Sequence, residues 1–239
     1  MKLSQRIYDI CDAISIGETI ADIGTDHGYV PMLAIKNNIS PYAIMSDISE
    51  DSLSKAVSTF KYANIPCKDS QFRVGDGLEP INSNEVDDLI IAGLGGYTII
   101  DILDKDIEKS KSFKKLILQP RKFAGDLRYY LYMHGWDIIF EKLSPEGKFI
   151  CEIIIAVPTG LTCRKELYPK GDIRWNYPET FKSVQYDLLK KRLDWKFSSL
   201  DNEINNLLKS NSDTSTVISS LKSDKEYLRN LLDLCKKNE

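Results

Sequence analysis

Long apolar runs are missing from this chain. None approaches the roughly 18 residues of a membrane span, so a membrane-embedded class is set aside. The N-terminus, Met1-Lys2-Leu3-Ser4-Gln5-Arg6, leads into an amphipathic pattern and not into the apolar block of a signal peptide, and the chain reads as cytoplasmic. Cysteine is sparse. The five (Cys11, Cys67, Cys151, Cys163, Cys235) are odd in number and lack metal-ligand spacing, which argues against a disulfide framework or a zinc site. Cys11 and Cys235 fall at apolar helix positions, where free cysteine acts as a small hydrophobe. A strong charge of either sign is also lacking: the net charge is −3, against a simple polyanion binder. The average hides a gradient. Residues 1–157 hold 17 Lys/Arg against 23 Asp/Glu, and residues 158–239 hold 15 against 12, so a polyanion contact is expected to involve the tail.

What is present is alternation. Ile20–Ile23 is a short apolar strand, Gly24-Thr25-Asp26-His27-Gly28 a turn, and Tyr29–Asn38 a helix with Pro31 in its first turn. This arrangement aims backbone N–H groups at a ligand above the sheet edge. Before it, Leu3, Ile7, Ile10, Cys11 and Ile14 mark one face of a helix. After it come strands ending at Asp47, Val74, Ala92 and Gln119, separated by helices over residues 49–63, 97–108 and 124–134. Strands over 136–141 and 149–157 form a hairpin around Pro145-Glu146-Gly147. Five strand–helix units followed by a hairpin predict an α/β doubly wound sheet with one antiparallel strand at its far edge. At Pro158 the pattern changes. Leu193, Phe197, Leu200, Ile204 and Leu207, then Val217, Leu221, Leu228 and Leu231, recur at steps of three and four on either side of Ser210-Asn211-Ser212-Asp213. We expect an α/β domain over 1–158 and a two-helix coiled-coil hairpin within 159–239.

The turn does not spell the nicotinamide pattern G-x-G-x-x-G. Asp22-x-Gly24-x-Asp26-x-Gly28 instead resembles motif I of class I S-adenosylmethionine methyltransferases, D/E-x-G-x-G-x-G, with Asp26 at the middle glycine. A cofactor carrying an ammonium and a sulfonium, and no pyrophosphate, is suited to carboxylates near the turn. Ala21 to Pro31 further resembles A-D-I-G-(S/T)-D-H-(A/G)-Y-(L/V)-P of the bacterial tRNA adenine-22 N1-methyltransferase family. So do an aspartate ending strand two (Asp47), Gly75-Asp76-Gly77-Leu78, Ala92–Gly96, Leu116–Pro120 and the appended helices.

The resemblance implies a Rossmann-like methyltransferase fold, S-adenosylmethionine as cofactor and tRNA as partner, with no membrane or metal. Cofactor contact falls to Asp22, Gly24, Thr25, Asp26, His27, Asp47, Ile48, Asp76, Gly77, Gly93, Leu94 and Gly95. Ribose is expected at Asp47, roughly 20 residues past the turn. The (D/N/S)-P-P-(Y/F) motif of amino-methyltransferases is replaced by Gly93–Gly96, which suits attack by a ring nitrogen over an exocyclic amine. His27, Tyr29, Gln119 and Pro120 are expected to line the base pocket, Tyr29 by stacking. Arg121, Lys122 and Arg128 at the site's edge, and Lys190, Lys191 and Arg192 on the long helix, are the expected phosphate contacts. A small-molecule methyltransferase, or a non-catalytic cofactor-binding protein, remains a rival on the same residues.

Overall fold

Apolar runs set the sheet. In the computed structural model, residues 3–161, 163–209 and 214–238 are described. Met1, Lys2 and the expected 210–213 turn lie outside them. Helix α1 (Gln5–Cys11) precedes β1 (Ile20–Ile23), α2 (Tyr29–Lys36), β2 (Ala43–Asp47), α3 (Glu50–Tyr62), β3 (Phe72–Val74) and β4 (Asp88–Leu94). Then come α4 (Gly96–Lys105), α5 (Ile107–Ser112), β5 (Lys115–Pro120), α6 (Ala124–Met133), β6 (Trp136–Glu146) and β7 (Phe149–Pro158). Every residue of β1 and β5 is buried, as expected for strands covered on both faces.

Side-chain parity assigns the layers. Ala21, Ile23, Leu89, Ile91, Leu116 and Leu118 face Ile99 and Leu103 of α4 and Leu127 and Leu131 of α6. Ile20, Ala43, Met45, Ile90 and Ile117 face the other way, onto α1, α2 and α3. The same parity carries Asp22 of β1 and Gln119 of β5 beneath α1.

The sheet order is β3-β2-β1-β4-β5-β7-β6. β1 to β5 pair in parallel, and β7 is antiparallel to both β5 and β6. The hairpin was expected to place its antiparallel strand at the rim. Instead β7 lies inside the sheet and β6 forms the edge, because the purely apolar Ile153–Ala156 needs cover on both faces while β6 exposes Ile139 and Phe140. The junction of β1 and β4, where the strand order reverses, is the switch point at which such sheets bind ligands.

Beyond Pro158, α7 (Ile173–Asn176) is a single turn packed on α6, followed by α8 (Tyr186–Leu208) and α9 (Ser215–Lys237). Hydrogen bonds join Thr214 to Leu207, Lys225 to Asp201 and Cys235 to Val184, so α8 and α9 run antiparallel. Leu193, Leu200, Ile204, Leu228 and Leu231 are buried as their spacing predicts, whereas Val217 is half exposed. Aromatic side chains hold the tail to the preceding α/β domain: Trp175 packs on Tyr129 and Tyr132 of α6, and Phe181 is fully buried. All five cysteines are free, and Cys11 and Cys235 are buried. Among the described residues no helix is long and apolar enough to cross a membrane.

Arg128 and Arg192 depart from expectation. Arg128 is only 1% exposed. Its guanidinium donates to Glu141 at 2.6 Å, to Glu152 at 2.5 Å and to the Trp175 carbonyl at 3.0 Å. Arg192 turns inward to Glu152 and lies over the Tyr177 ring. Neither is a surface phosphate contact. A buried carboxylate pair on β6 and β7 requires cations opposite it, and these two arginines supply them.

Candidate active site

The chain leaves β1 with its backbone already engaged. The N–H groups of Gly24 and Thr25 both donate to the Ser46 carbonyl of β2, at 2.8 and 3.1 Å. They tie the turn to the neighbouring strand and do not face a ligand, contrary to the expectation for this turn. What faces the switch point is a cavity of about 340 Å³. Of the sequence-predicted residues, Asp22, Gly24, Thr25, Asp26, His27, Tyr29, Gly93, Leu94 and Arg121 come together around it.

Asp22 lies beneath this cavity, 7% exposed, and accepts a 2.6 Å hydrogen bond from the Thr25 hydroxyl. It forms no ion pair among the described residues. Burial pushes its pKa up to about 6, opposed by the Thr25 hydrogen bond and the positive charge of Arg6, and aided by Asp47. Asp26 differs. It is exposed, receives the Lys55 ammonium at 2.7 Å, and is held below the usual carboxylate range by that bond. The carboxylate left for a cationic ligand is therefore Asp22.

At the strand tips beside it, Asp47 accepts from the Ser49 N–H at 2.8 Å. Among the described residues its second oxygen has no donor. Ile48 is 75% exposed, an apolar surface next to that carboxylate. Asp76 is ion-paired to Lys105 at 2.9 Å, and Lys105 also holds Glu79.

On the other side, β4 ends in a bulge between Ala92 and Leu94, where Gly93 takes φ +83°. A side chain there would be strained. Leu94 reaches across to the turn, so that a methyl group on Gly24 would sit 3.3 Å from its Cδ1. Gly96 is required for a different reason. Its N–H donates to the Lys122 carbonyl at 2.9 Å, and a Cβ would lie 2.4 Å from the Phe123 carbonyl oxygen. Gly96→Ala is expected to lower stability by about 1–3 kcal/mol through this clash, checked by urea unfolding. An unchanged midpoint would mean that the loop after β5 yields freely.

Gln119 and Pro120 are buried and do not line the cavity. Gln119 accepts from Arg6 Nη1 at 3.0 Å, and Arg6 donates through Nε to Glu146 at 2.7 Å. Arg6 lines the cavity, so Gln119 acts at one remove, as its positioning residue. Sequence reading missed Arg6, because its partners lie 113 and 140 residues away. At the mouth, His27 and Tyr29 stack with centroids 5.0 Å apart and planes at 6°. Arg121 and Lys122 are exposed beside it. Lys191 is exposed on α8, and Lys190 is exposed but paired with Asp194 at 2.7 Å.

Comparison with known proteins agrees with this geometry. Residues 3–154 match the family model described as a methyltransferase domain. This chain belongs to the methyltransferase domain family. The chain is 34% identical over 156 residues to the tRNA (adenine(22)-N(1))-methyltransferase of Bacillus subtilis, covering 65% of each chain. The match thus spans just under two thirds of that relative's length. The solved structure of the B. subtilis M1A22 tRNA methyltransferase TrmK superposes with a TM-score of 0.72 at 26% identity, covering 99% of this chain and 98% of that chain. Sp1610 from Streptococcus pneumoniae, solved in complex with S-adenosyl-L-methionine, shares the fold with a TM-score of 0.78 at 22% identity, covering 97% and 100%.

The residues present suit that cofactor. A buried carboxylate without an ion-pair partner fits an ammonium, the exposed Ile48 beside a half-satisfied Asp47 fits an adenosine, and a volume of 340 Å³ is at the small-ligand scale.

Proposed function

We propose that this methyltransferase moves the methyl group of S-adenosylmethionine to N1 of an adenine in tRNA, position 22 being the site named for its B. subtilis relative. The observation that carries the reading is Asp22, a buried carboxylate with no ion-pair partner among the described residues, beneath a cavity whose β4 wall is alanine, glycine and leucine. The cofactor supplies an electrophilic methyl group. The rest is alignment by the protein.

Adenine N1 has an in-plane lone pair and is neutral at pH 7, so the transfer needs no general base. Asp22 holds the ammonium end, and Asp47 and Ile48 hold the adenosine end. Gly93 to Gly96 leave the target base room edge-on, with no side chain to accept a hydrogen bond from an exocyclic amine. The His27–Tyr29 stack offers a flat wall for that base. Gln119, through Arg6, keeps the cavity's shape. Holding the two reactants in this geometry is worth about 7–11 kcal/mol where alignment is near ideal. Arg121, Lys122 and Lys191 are the phosphate contacts in this reading, and affinity for tRNA then falls steeply with salt.

The test is transfer from radiolabelled cofactor to unmodified tRNA, followed by mapping of the label. Methyl on adenine N1 is the expected result. Label on another base, or only on small molecules, would replace this reading with another substrate class, and no transfer at all would leave a binding protein.

A further inference from the structure

A second, larger depression of about 1060 Å³ lies between α1, α2 and α3. That exceeds the roughly 300–1,000 Å³ of ordinary small-molecule sites. His27 lines both this groove and the cavity above Asp22, so the two adjoin at that residue. We propose that the groove receives the unstacked RNA nucleotides next to the target adenine, an assignment that rests on the tRNA reading above.

Its chemistry supports an RNA strand. Residues 1–157 carry more acid than base, yet the lining contains two lysines, a histidine and no carboxylate. Lys36 is exposed on the rim. Lys55 sits on the opposite side and reaches the Asp26 carboxylate, which joins the groove to the cofactor turn. Two serines, a threonine and two asparagines add groups that bind phosphate and ribose oxygens, beside a more apolar floor of Leu3, Met32, Leu33 and Ala63. Two aromatic rings stand in solvent here, Tyr62 at 82% exposure and Tyr8 at 40%. Exposed rings between cations match single-stranded nucleic acid, whose bases stack on aromatics while its phosphates meet lysines.

The reaction supplies the need for such a surface. A base that must reach the cavity leaves its stack, and its neighbours lose a partner when it does. The groove begins at the same histidine that flanks the cavity. Nucleotides displaced with the target are therefore drawn along α2 and α3 and not into water.

The test uses the full chain with Lys36→Ala and Tyr62→Ala, alone and combined. Both residues are exposed and outside the cofactor cavity, so folding and cofactor affinity are expected to stay as in the wild type. The combined variant should raise KM for a tRNA transcript about tenfold or more, with kcat at saturating tRNA within about twofold of the wild type. Lys36→Ala should lower the slope of log affinity against log salt by about one. In addition, Ser58→Cys bearing an azidophenacyl group should crosslink within a few nucleotides of the methylated adenine.

Unchanged KM and salt slope, or crosslinks confined to a distant arm of the tRNA, would overturn the assignment while leaving tRNA methylation intact. If the variants alter only self-association in sedimentation, the groove belongs to a second copy and the proposal fails. If the wild-type chain methylates no tRNA, the functional reading itself falls, and this inference falls with it.

Discussion

Arg128→Ala is expected to destabilise the chain by about 3–5 kcal/mol, the usual consequence of breaking a buried ion pair from one side. The guanidinium is 1% exposed and neutralises Glu141 and Glu152, themselves each 7% exposed. It also donates to the Trp175 carbonyl and lies over the Phe181 ring at 5.3 Å, so it joins α6, the β6–β7 hairpin and the tail. Among the described residues, alanine leaves Glu141 with only the Thr180 hydroxyl, and Glu152 with only Arg192. Urea unfolding measures the loss. Arg128→Ala combined with Glu141→Gln should recover part of it, because one unpaired charge is then removed. A deficit equal in the single and double variants would assign the effect to the lost volume.

The cluster also sets an acid limit. Burial opposes ionisation of Glu152, but the Arg192 and Arg128 charges hold its pKa below the usual 4.5. A carboxylate with a lowered folded-state pKa stabilises the fold above about pH 4.5, and that contribution is lost as pH falls through the folded value.

Asp22→Asn should separate stability from binding. In the cofactor-free chain Asp22 titrates at about 6 against an ordinary 3.8. The folded state binds the proton more tightly, so this group's contribution falls as pH rises from about 4 to 6. Above 6 an ionised Asp22 costs about 3 kcal/mol. Asparagine removes that cost, and its carbonyl can still accept from Thr25. The cofactor-free variant should therefore melt higher at pH 7.5 than the wild type, while its affinity for S-adenosylmethionine drops about tenfold or more through loss of the charged partner.

The wild-type affinity should weaken as pH falls through 6, because a protonated Asp22 no longer attracts an ammonium. The variant's affinity should be flat over the same range. Calorimetry at three pH values decides the matter. Equal affinities in both proteins at pH 7.5 would remove Asp22 from the cofactor site.

Much of the fold was legible because buried parallel strands are written as unbroken apolar runs, and the β1 turn and the Asp47 strand end follow directly from them. Ser49 caps α3, its side chain accepting from the Ser52 N–H. The order of the last two strands was not legible, since a hairpin signal does not say which of its strands meets β5. Helix α5 has no apolar periodicity of its own over IEKSKS and escaped notice.

Arg128 was misread as surface because a lone arginine in a helix usually is one. The contrary signal was Glu152, a carboxylate inside the apolar run of β7, which demanded a cation from somewhere. Arg6 had no such signal. Its place follows only from the parity that turns Gln119 beneath α1.

The position of β7 has a consequence for how the chain reaches its final form. The strands that carry the cofactor cavity, β1 to β5, are complete by residue 120, yet the outer edge of β5 pairs only with residues 154–156. Until those residues are made, the emerging half-sheet presents an unpaired apolar strand, the kind of edge that recruits other chains. Ribosome-bound intermediates between these two points are thus the stage most open to aggregation, and closure comes from a segment inserted between two others and not added at the rim.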